Sequence, residues 1–237
     1  MRTNSSSIVI AAVVASAWLP ASIRAEGTKT PRATKEQQAS PLADSLEPDK
    51  VELEQATFGL GCYSCAEAIF ERLKGVQSVA VGYSGGSSKN PTDEQIHSGL
   101  SGHAEVVQFA YDPKIISYDE LLEVFWKMHD PTTLNRQGKN VGTHYRSVIF
   151  YHTDKQHQLA DRYKKKLNES HVFADPIVTE IVKYSEFYPA ATASQGFFRL
   201  NPKDEYCTLV IRPKVEEFEK VFADKVQTSS TAATSKP

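Results

Sequence analysis

Three cysteines constrain this chain more than any other feature. Cys62 and Cys65 lie together in the run Cys62-Tyr63-Ser64-Cys65, and Cys207 stands far downstream. Three thiols in 237 residues cannot staple a disulfide-dense scaffold, and an odd count leaves at least one of them unpaired within the chain. An apolar core must therefore hold the fold. With 40% hydrophobic residues the chain has the material for one, and its length suits a single domain. The charge balance, 27 Lys+Arg against 29 Asp+Glu, leaves no basic footprint for nucleic acid.

The two ends differ from the middle. Residues 1–25 combine Arg2, an apolar run from Ile8 to Leu19 and small residues around Ala25, the pattern of a secretory signal peptide. The run is short for a membrane span. Residues 26–50, rich in Thr, Lys, Glu, Pro and Ser, read as a flexible linker, and residues 227–237 as a disordered tail. The expected product is a folded domain over 51–226. It would be secreted or periplasmic and monomeric, with no stable membrane association once the signal is cleaved. In such an oxidising compartment a cysteine can be a structural half-cystine or a redox group.

The surroundings of Cys62 favour chemistry. Glu54–Leu60 is short and apolar and runs into Gly59 and Gly61, as a strand does on entering a tight turn. Ala66, Ile69, Phe70 and Leu73 then recur at helical spacing, and Gly75 closes the segment. Cys62 falls at the first turn of that helix, where unpaired N–H groups and the macrodipole favour a thiolate. It is the candidate nucleophile.

Val76–Tyr83 reads as a second strand, followed by a long loop, Ser84–Gly102. In His103–Tyr111 the residues Glu105, Val107, Phe109 and Tyr111 share one face. Alternation leaves two readings of Glu105. It is either a desolvated carboxyl with a raised pKa, able to donate a proton, or a strand-end side chain in water. Ser117 to Glu120 has the form of a capping box, and Leu121, Val124, Phe125 and Met128 make the apolar stripe of a core helix. His129-Asp130-Pro131 ends it. Thr132–His144 reads as a polar loop, Tyr145–His152 as a strand, Asp154–Leu167 as a helix and Ile177–Tyr184 as a strand. The expected class is α+β, a two-layer α/β domain with a mixed sheet. His97, His103, His129 and His144 lack metal-ligand spacing, so no metal site is expected.

Several segments together resemble one family. In order they are Ala56-Thr57-Phe58-Gly59-Leu60-Gly61-Cys62, Gly82-Tyr83-Ser84-Gly85-Gly86 and Gly102-His103-Ala104-Glu105-Val106-Val107, followed by His129–Gly138 and Gly142–Ser147. They resemble the A-type peptide methionine sulfoxide reductases over nearly all of Val51–Phe222. The resemblance implies a ferredoxin-like architecture and a reaction without metal or bound organic cofactor. Cys62 would attack the sulfur of methionine S-sulfoxide, free or in proteins, while Glu105 protonates its oxygen. The resulting sulfenic acid would condense with a second cysteine. An external thiol reductant, a thioredoxin-like protein or a dithiol, would restore the thiols. Asn201-Pro202 followed by Tyr206-Cys207 matches the family's C-terminal pattern, which makes Cys207 the first choice of resolving cysteine. Cys65 is the rival, read chiefly as a small buried residue.

The resemblance also shows departures. The family's Gly-Cys-Phe-Trp stands here as Gly61-Cys62-Tyr63-Ser64, so Tyr63 can keep one wall of a pocket for the sulfoxide methyl while Ser64 cannot replace an indole. Gly61 and His103 join these two as expected substrate-binding residues. On the oxygen side Asp93 replaces a phenol and Asn140 an aspartate, while Tyr145 matches the family's second phenol. If Asp93 lies near Glu105, its charge would help hold Glu105 protonated. Two other functions compete: a catalytically silent descendant that binds oxidised or apolar peptides, and a thiol–disulfide exchanger using Cys62 and Cys65.

Overall fold

The computed structural model describes residues 51–227. The signal-peptide and linker readings, and all of the tail beyond Gln227, lie outside the described residues.

The first half of the domain is built from β1 (Glu54–Leu60), α1 (Tyr63–Phe70), β2 (Val76–Ser84), α2 (Asp93–His97), β3 (Ala104–Tyr111) and α3 (Tyr118–Lys127). There follow a small hairpin, β4 (Arg136–Gln137) and β5 (Asn140–Val141), then β6 (Ser147–Tyr151), α4 (Asp154–Glu169), β7 (Glu180–Lys183) and β8 (Phe187–Pro189). The chain closes with α5 (Phe197–Leu200), a π-helical turn over Cys207–Ile211 and α6 (Arg212–Val221). Six strands form one sheet in the order β7-β6-β1-β3-β2-β8. Only β6 and β7 run parallel; the other pairs are antiparallel. The inner four strands, β6-β1-β3-β2, with α1 and α3 as crossovers, are the βαββαβ arrangement of a ferredoxin-like sheet.

Period two decides which face each strand buries. Ala56, Phe58 and Leu60 of β1 and Val107, Phe109 and Tyr111 of β3 pack with Ile69, Phe70, Leu121 and Phe125 in the main core. Phe58 is its hub, with ring centroids 5.1 Å from Phe125, 5.5 Å from Phe70 and 5.7 Å from Phe109. The alternate residues Ala104, Val106, Val148 and Phe150 form a smaller cluster on the other face. The expected capping box starts α3: Ser117 accepts from the Glu120 N–H while the Glu120 carboxylate takes the Ser117 N–H.

Four details differ from the sequence reading. The loop Ser84–Gly102 contains α2, started by a second capping box at Thr92 and Gln95. The polar loop Thr132–His144 holds the β4–β5 hairpin. Tyr145 belongs to a 3-10 turn ahead of β6 rather than to the strand. Gln227, assigned to the tail, is tied to the domain: its N–H donates to Arg72 O and its amide to Leu73 O.

Candidate active site

The candidate nucleophile, Cys62, is placed by the β1–α1 turn. Gly61 adopts φ +93°, and a Cβ there would lie 2.6 Å from Gln137 Cβ. Glycine is needed for both conformation and space. Gln137 is itself clamped, its amide carbonyl accepting from Asp130 N–H and its NH₂ donating to Asp130 O. Cys62 then takes the N-cap position of α1 with extended backbone and no side-chain cap. The orphan N–H groups of the first turn are used in two ways. That of Cys65 donates to Cys62 O at 3.2 Å and, with that of Ser64, favours the Cys62 thiolate, and that of Tyr63 donates to Glu105 Oε2 at 3.0 Å.

The neighbouring Cys65 thiol and Tyr206 hydroxyl, 3.9 Å apart, also favour the Cys62 thiolate. The Cys65 hydrogen bond is the largest influence, and together these donors overcome burial and hold the Cys62 thiol well below the ordinary thiol range. The same bond pushes Cys65 up, since it must keep its proton to donate.

Glu105 resolves its two readings in favour of burial. It sits on the helix-covered face of β3 and is 4% exposed. Desolvation, and then the negative charge of Cys62, push its pKa up to about 8, against the Tyr63 N–H that favours the carboxylate. Asp93 acts in the same direction with the smallest effect. Its carboxylate accepts from the Tyr83 hydroxyl at 3.1 Å. A group favoured as thiolate and a carboxyl favoured as neutral acid thus meet at the first turn of α1.

Three phenols surround the pair. Tyr63 packs edge-on to Tyr83, with centroids 5.9 Å apart, and donates to Ser194 Oγ at 3.2 Å. Tyr145 is half-buried, and desolvation followed by the charge of Glu105 pushes it up to about 12, so it stays a hydrogen-bond donor. Ser64 is buried in α1; its backbone N–H, not its hydroxyl, serves the sulfur.

All three cysteines meet in one apolar cluster. Cys65 and Cys207 are buried there with Ala68, Phe198, Ile211 and Val215, and Cys62, Phe197, Tyr206 and Val210 pack against it. All three are free thiols. Of the two candidate resolving cysteines, Cys65 is the one whose thiol most stabilises the Cys62 thiolate. Cys207 is fully buried at the start of the π-helical turn, and burial raises its pKa.

Asn140 is also reassigned. Its amide donates to Tyr206 OH at 3.3 Å, and that hydroxyl lies 3.9 Å from Cys65 Sγ. Asn140 therefore acts on the sulfur side of the site, through Tyr206, rather than on the oxygen side. Tyr206 was missed as a functional residue, although it stood beside Cys207 in the C-terminal pattern. His103, expected to bind substrate, has partners at both ring nitrogens. Gly86 N–H donates to its Nδ1 at 3.1 Å and its Nε2 meets Ser88 O at 2.7 Å, so both nitrogens are spent on pinning the loop after β2. Finally, the histidines are not all scattered. His97, Glu105 and His144 each bring one ligand atom within 4.8 Å of the others, a cluster that only the fold assembles.

Comparison with known proteins finds relatives over most of the domain. The family model described as peptide methionine sulfoxide reductase matches residues 54–226. The peptide methionine sulfoxide reductase MsrA of Natronomonas pharaonis is 50% identical over 171 residues, covering 72% of this chain and 96% of that protein. The MsrA of Leptospira borgpetersenii is 49% identical over 166 residues, covering 70% and 93%. Among solved structures, methionine sulfoxide reductase A of Corynebacterium diphtheriae superposes with a TM-score of 0.58 at 34% identity, covering 64% of this chain and 76% of that one.

Proposed function

The chain belongs to the peptide methionine sulfoxide reductases and is an oxidoreductase that reduces methionine sulfoxide with thiols; on that premise we propose the following division of labour. Cys62, as thiolate, attacks the sulfoxide sulfur of the S epimer. Glu105 delivers its proton to the sulfoxide oxygen, with Tyr145 donating a hydrogen bond to the same oxygen. The oxygen moves to Cys62, methionine departs and Glu105 is left as carboxylate. Tyr63 and Ser64 line the side that receives the methyl group, and Gly61 sets the turn that presents Cys62.

The Cys62 sulfenic acid then condenses with the Cys65 thiol, losing water and forming a disulfide. Cys207, buried in the same cluster, attacks Cys65 to give a Cys65–Cys207 disulfide and free Cys62. A thioredoxin-like protein or a dithiol reduces that bond by exchange. The N-terminal pattern of residues 1–25 supports a secreted or periplasmic setting for this cycle.

The observation that carries the reading is the Tyr63 N–H bond to Glu105, which fixes a buried acid to the helix turn that starts at Cys62. Two measurements test it. Dithiothreitol-dependent turnover should consume methionine S-sulfoxide and spare the R epimer. Mass mapping after one equivalent of substrate should find Cys62–Cys65 first and Cys65–Cys207 later. A direct Cys62–Cys207 bond in the earliest sample would remove Cys65 from the relay, and absence of turnover would favour the silent descendant.

A further inference from the structure

We propose that His97, His144 and Glu105 form a divalent-cation site, suited to zinc, and that a bound cation withdraws Glu105 from proton donation. The consequence for turnover rests on the role of Glu105 proposed above; the site itself does not.

The geometry comes from three separate elements. His97 ends α2, Glu105 is the second residue of β3 and His144 lies in the 3-10 turn after β5. One ligand atom from each falls within 4.8 Å of the other two. Zinc bound at about 2.0–2.2 Å in a tetrahedron holds its ligand atoms somewhat closer than that, so a modest contraction completes the set. His97 is exposed and can supply that movement. Two histidines and one glutamate, with a fourth position left to water, are a known zinc ligand combination.

Two further observations point to a ligand. First, Nδ1 of His144 is buried without a hydrogen-bond partner, and the residue is 4% exposed. A buried imidazole nitrogen left unpaired is costly in water-poor surroundings, and a cation supplies the missing partner. Second, His97 Nδ1 lies 2.7 Å from the Asp93 carbonyl. That oxygen can only accept, so Nδ1 carries the proton and the lone pair of neutral His97 sits on Nε2. A histidine whose second nitrogen is fixed by a carbonyl is the usual outer-shell arrangement of a metal ligand. The two rings stand 5.3 Å apart at 71°, near enough to converge and too steeply inclined to stack.

The charge balance is favourable. Two neutral imidazoles and one carboxylate leave a divalent cation with one net positive charge, beside the Cys62 thiolate. Binding requires Glu105 as carboxylate, so its proton is released when the cation enters. The acid needed to protonate the sulfoxide oxygen is then absent, while Cys62 keeps its helix-turn donors. A loaded enzyme should be slow in reduction and still carry a reactive thiol.

Because thiolates also bind zinc, the test separates the two ligand classes. The full-length chain with Cys62, Cys65 and Cys207 all changed to Ser is titrated with zinc by calorimetry, and with cobalt(II) for the electronic spectrum. One equivalent should bind, with no thiolate-to-cobalt charge transfer. His97→Ala or His144→Asn in that background should weaken binding at least about tenfold, given that even outer-shell partners are worth about 10–100-fold. His97 is exposed, so its variant keeps the fold if His144→Asn does not. Absence of binding to the cysteine-free chain, or binding indifferent to both histidines, overturns the site. With wild-type enzyme, zinc should slow sulfoxide reduction reversibly to a chelator, and His97→Ala should need more zinc for the same effect. Undiminished turnover in zinc overturns the inhibition. A wild-type enzyme lacking turnover even in chelator would instead count against the role of Glu105 and leave the binding result standing.

Discussion

Replacing Glu105 with Gln should make the protein more stable in alkali while stopping its chemistry. The carboxyl is 4% exposed, and burial with the neighbouring Cys62 charge moves its pKa from an ordinary 4.5 to about 8. The unfolded chain releases this proton near the ordinary value, and the folded chain holds it until about 8. Folding stability contributed by this group is therefore complete in acid, declines as pH rises through that window, and levels off above it. At about 1.4 kcal/mol for each pH unit, the decline amounts to about 5 kcal/mol, an order-of-magnitude figure. Glutamine does not titrate. Its amide adds a constant offset, so the informative quantity is the pH dependence of the difference between variant and wild type. Equilibrium urea unfolding in reductant and chelator, from about pH 4 to pH 9, should show the variant gaining several kcal/mol relative to wild type, most of it before about pH 8. In a Cys62→Ser background the gain should shrink but persist, because desolvation is the larger cause. Turnover should fall by roughly 10²–10⁴, the usual worth of a general acid. A difference that stays flat across the whole pH range would refute the burial argument.

Other consequences can be measured separately. Turnover against pH should be bell-shaped, rising as Cys62 ionises below the ordinary thiol range and falling as Glu105 loses its proton near about 8; a plateau beyond pH 9 would contradict the assignment of Glu105. Tyr206→Phe removes a hydroxyl that favours the Cys62 thiolate. At about 1.5 kcal/mol for a bond to a charged group, it should move the pH midpoint of Cys62 alkylation up by about one unit, and an unmoved midpoint would show that Tyr206 does not serve the thiolate. Gly61→Ala combines a left-handed φ of +93° with a 2.6 Å approach to Gln137, and should cost about 1–3 kcal/mol in urea unfolding; an equally stable variant would show that the turn can relax.

How much of this was readable in the chain depended on the range of the interactions. The β1–α1 turn and its cysteine were readable because Gly59, Gly61 and the spacing of Ala66, Ile69 and Phe70 are local signals. Glu105 was half readable: period two chose its face, but burial depended on α1 arriving to cover it. Within Ser84–Gly102, the Thr92–Gln95 capping box of α2 was a local signal that five residues of helix made easy to overlook. The relations among Cys65, Tyr206 and Asn140 join residues separated by 66 and 141 positions, and no spacing rule encodes them. The same holds for His97 and His144, which meet at Glu105 only because α2 and the turn after β5 converge on β3.

The central step of the reaction is transfer of the sulfoxide oxygen to the Cys62 sulfur. The direct measurement is a single turnover without reductant, using a chain in which Cys65 and Cys207 are both Ser, followed by dimedone labelling and peptide mass analysis. One methionine released per chain, with the adduct on Cys62 alone, is the expected result. Methionine formed with Cys62 unmodified, or formed equally well by a Cys62→Ser variant, would contradict it.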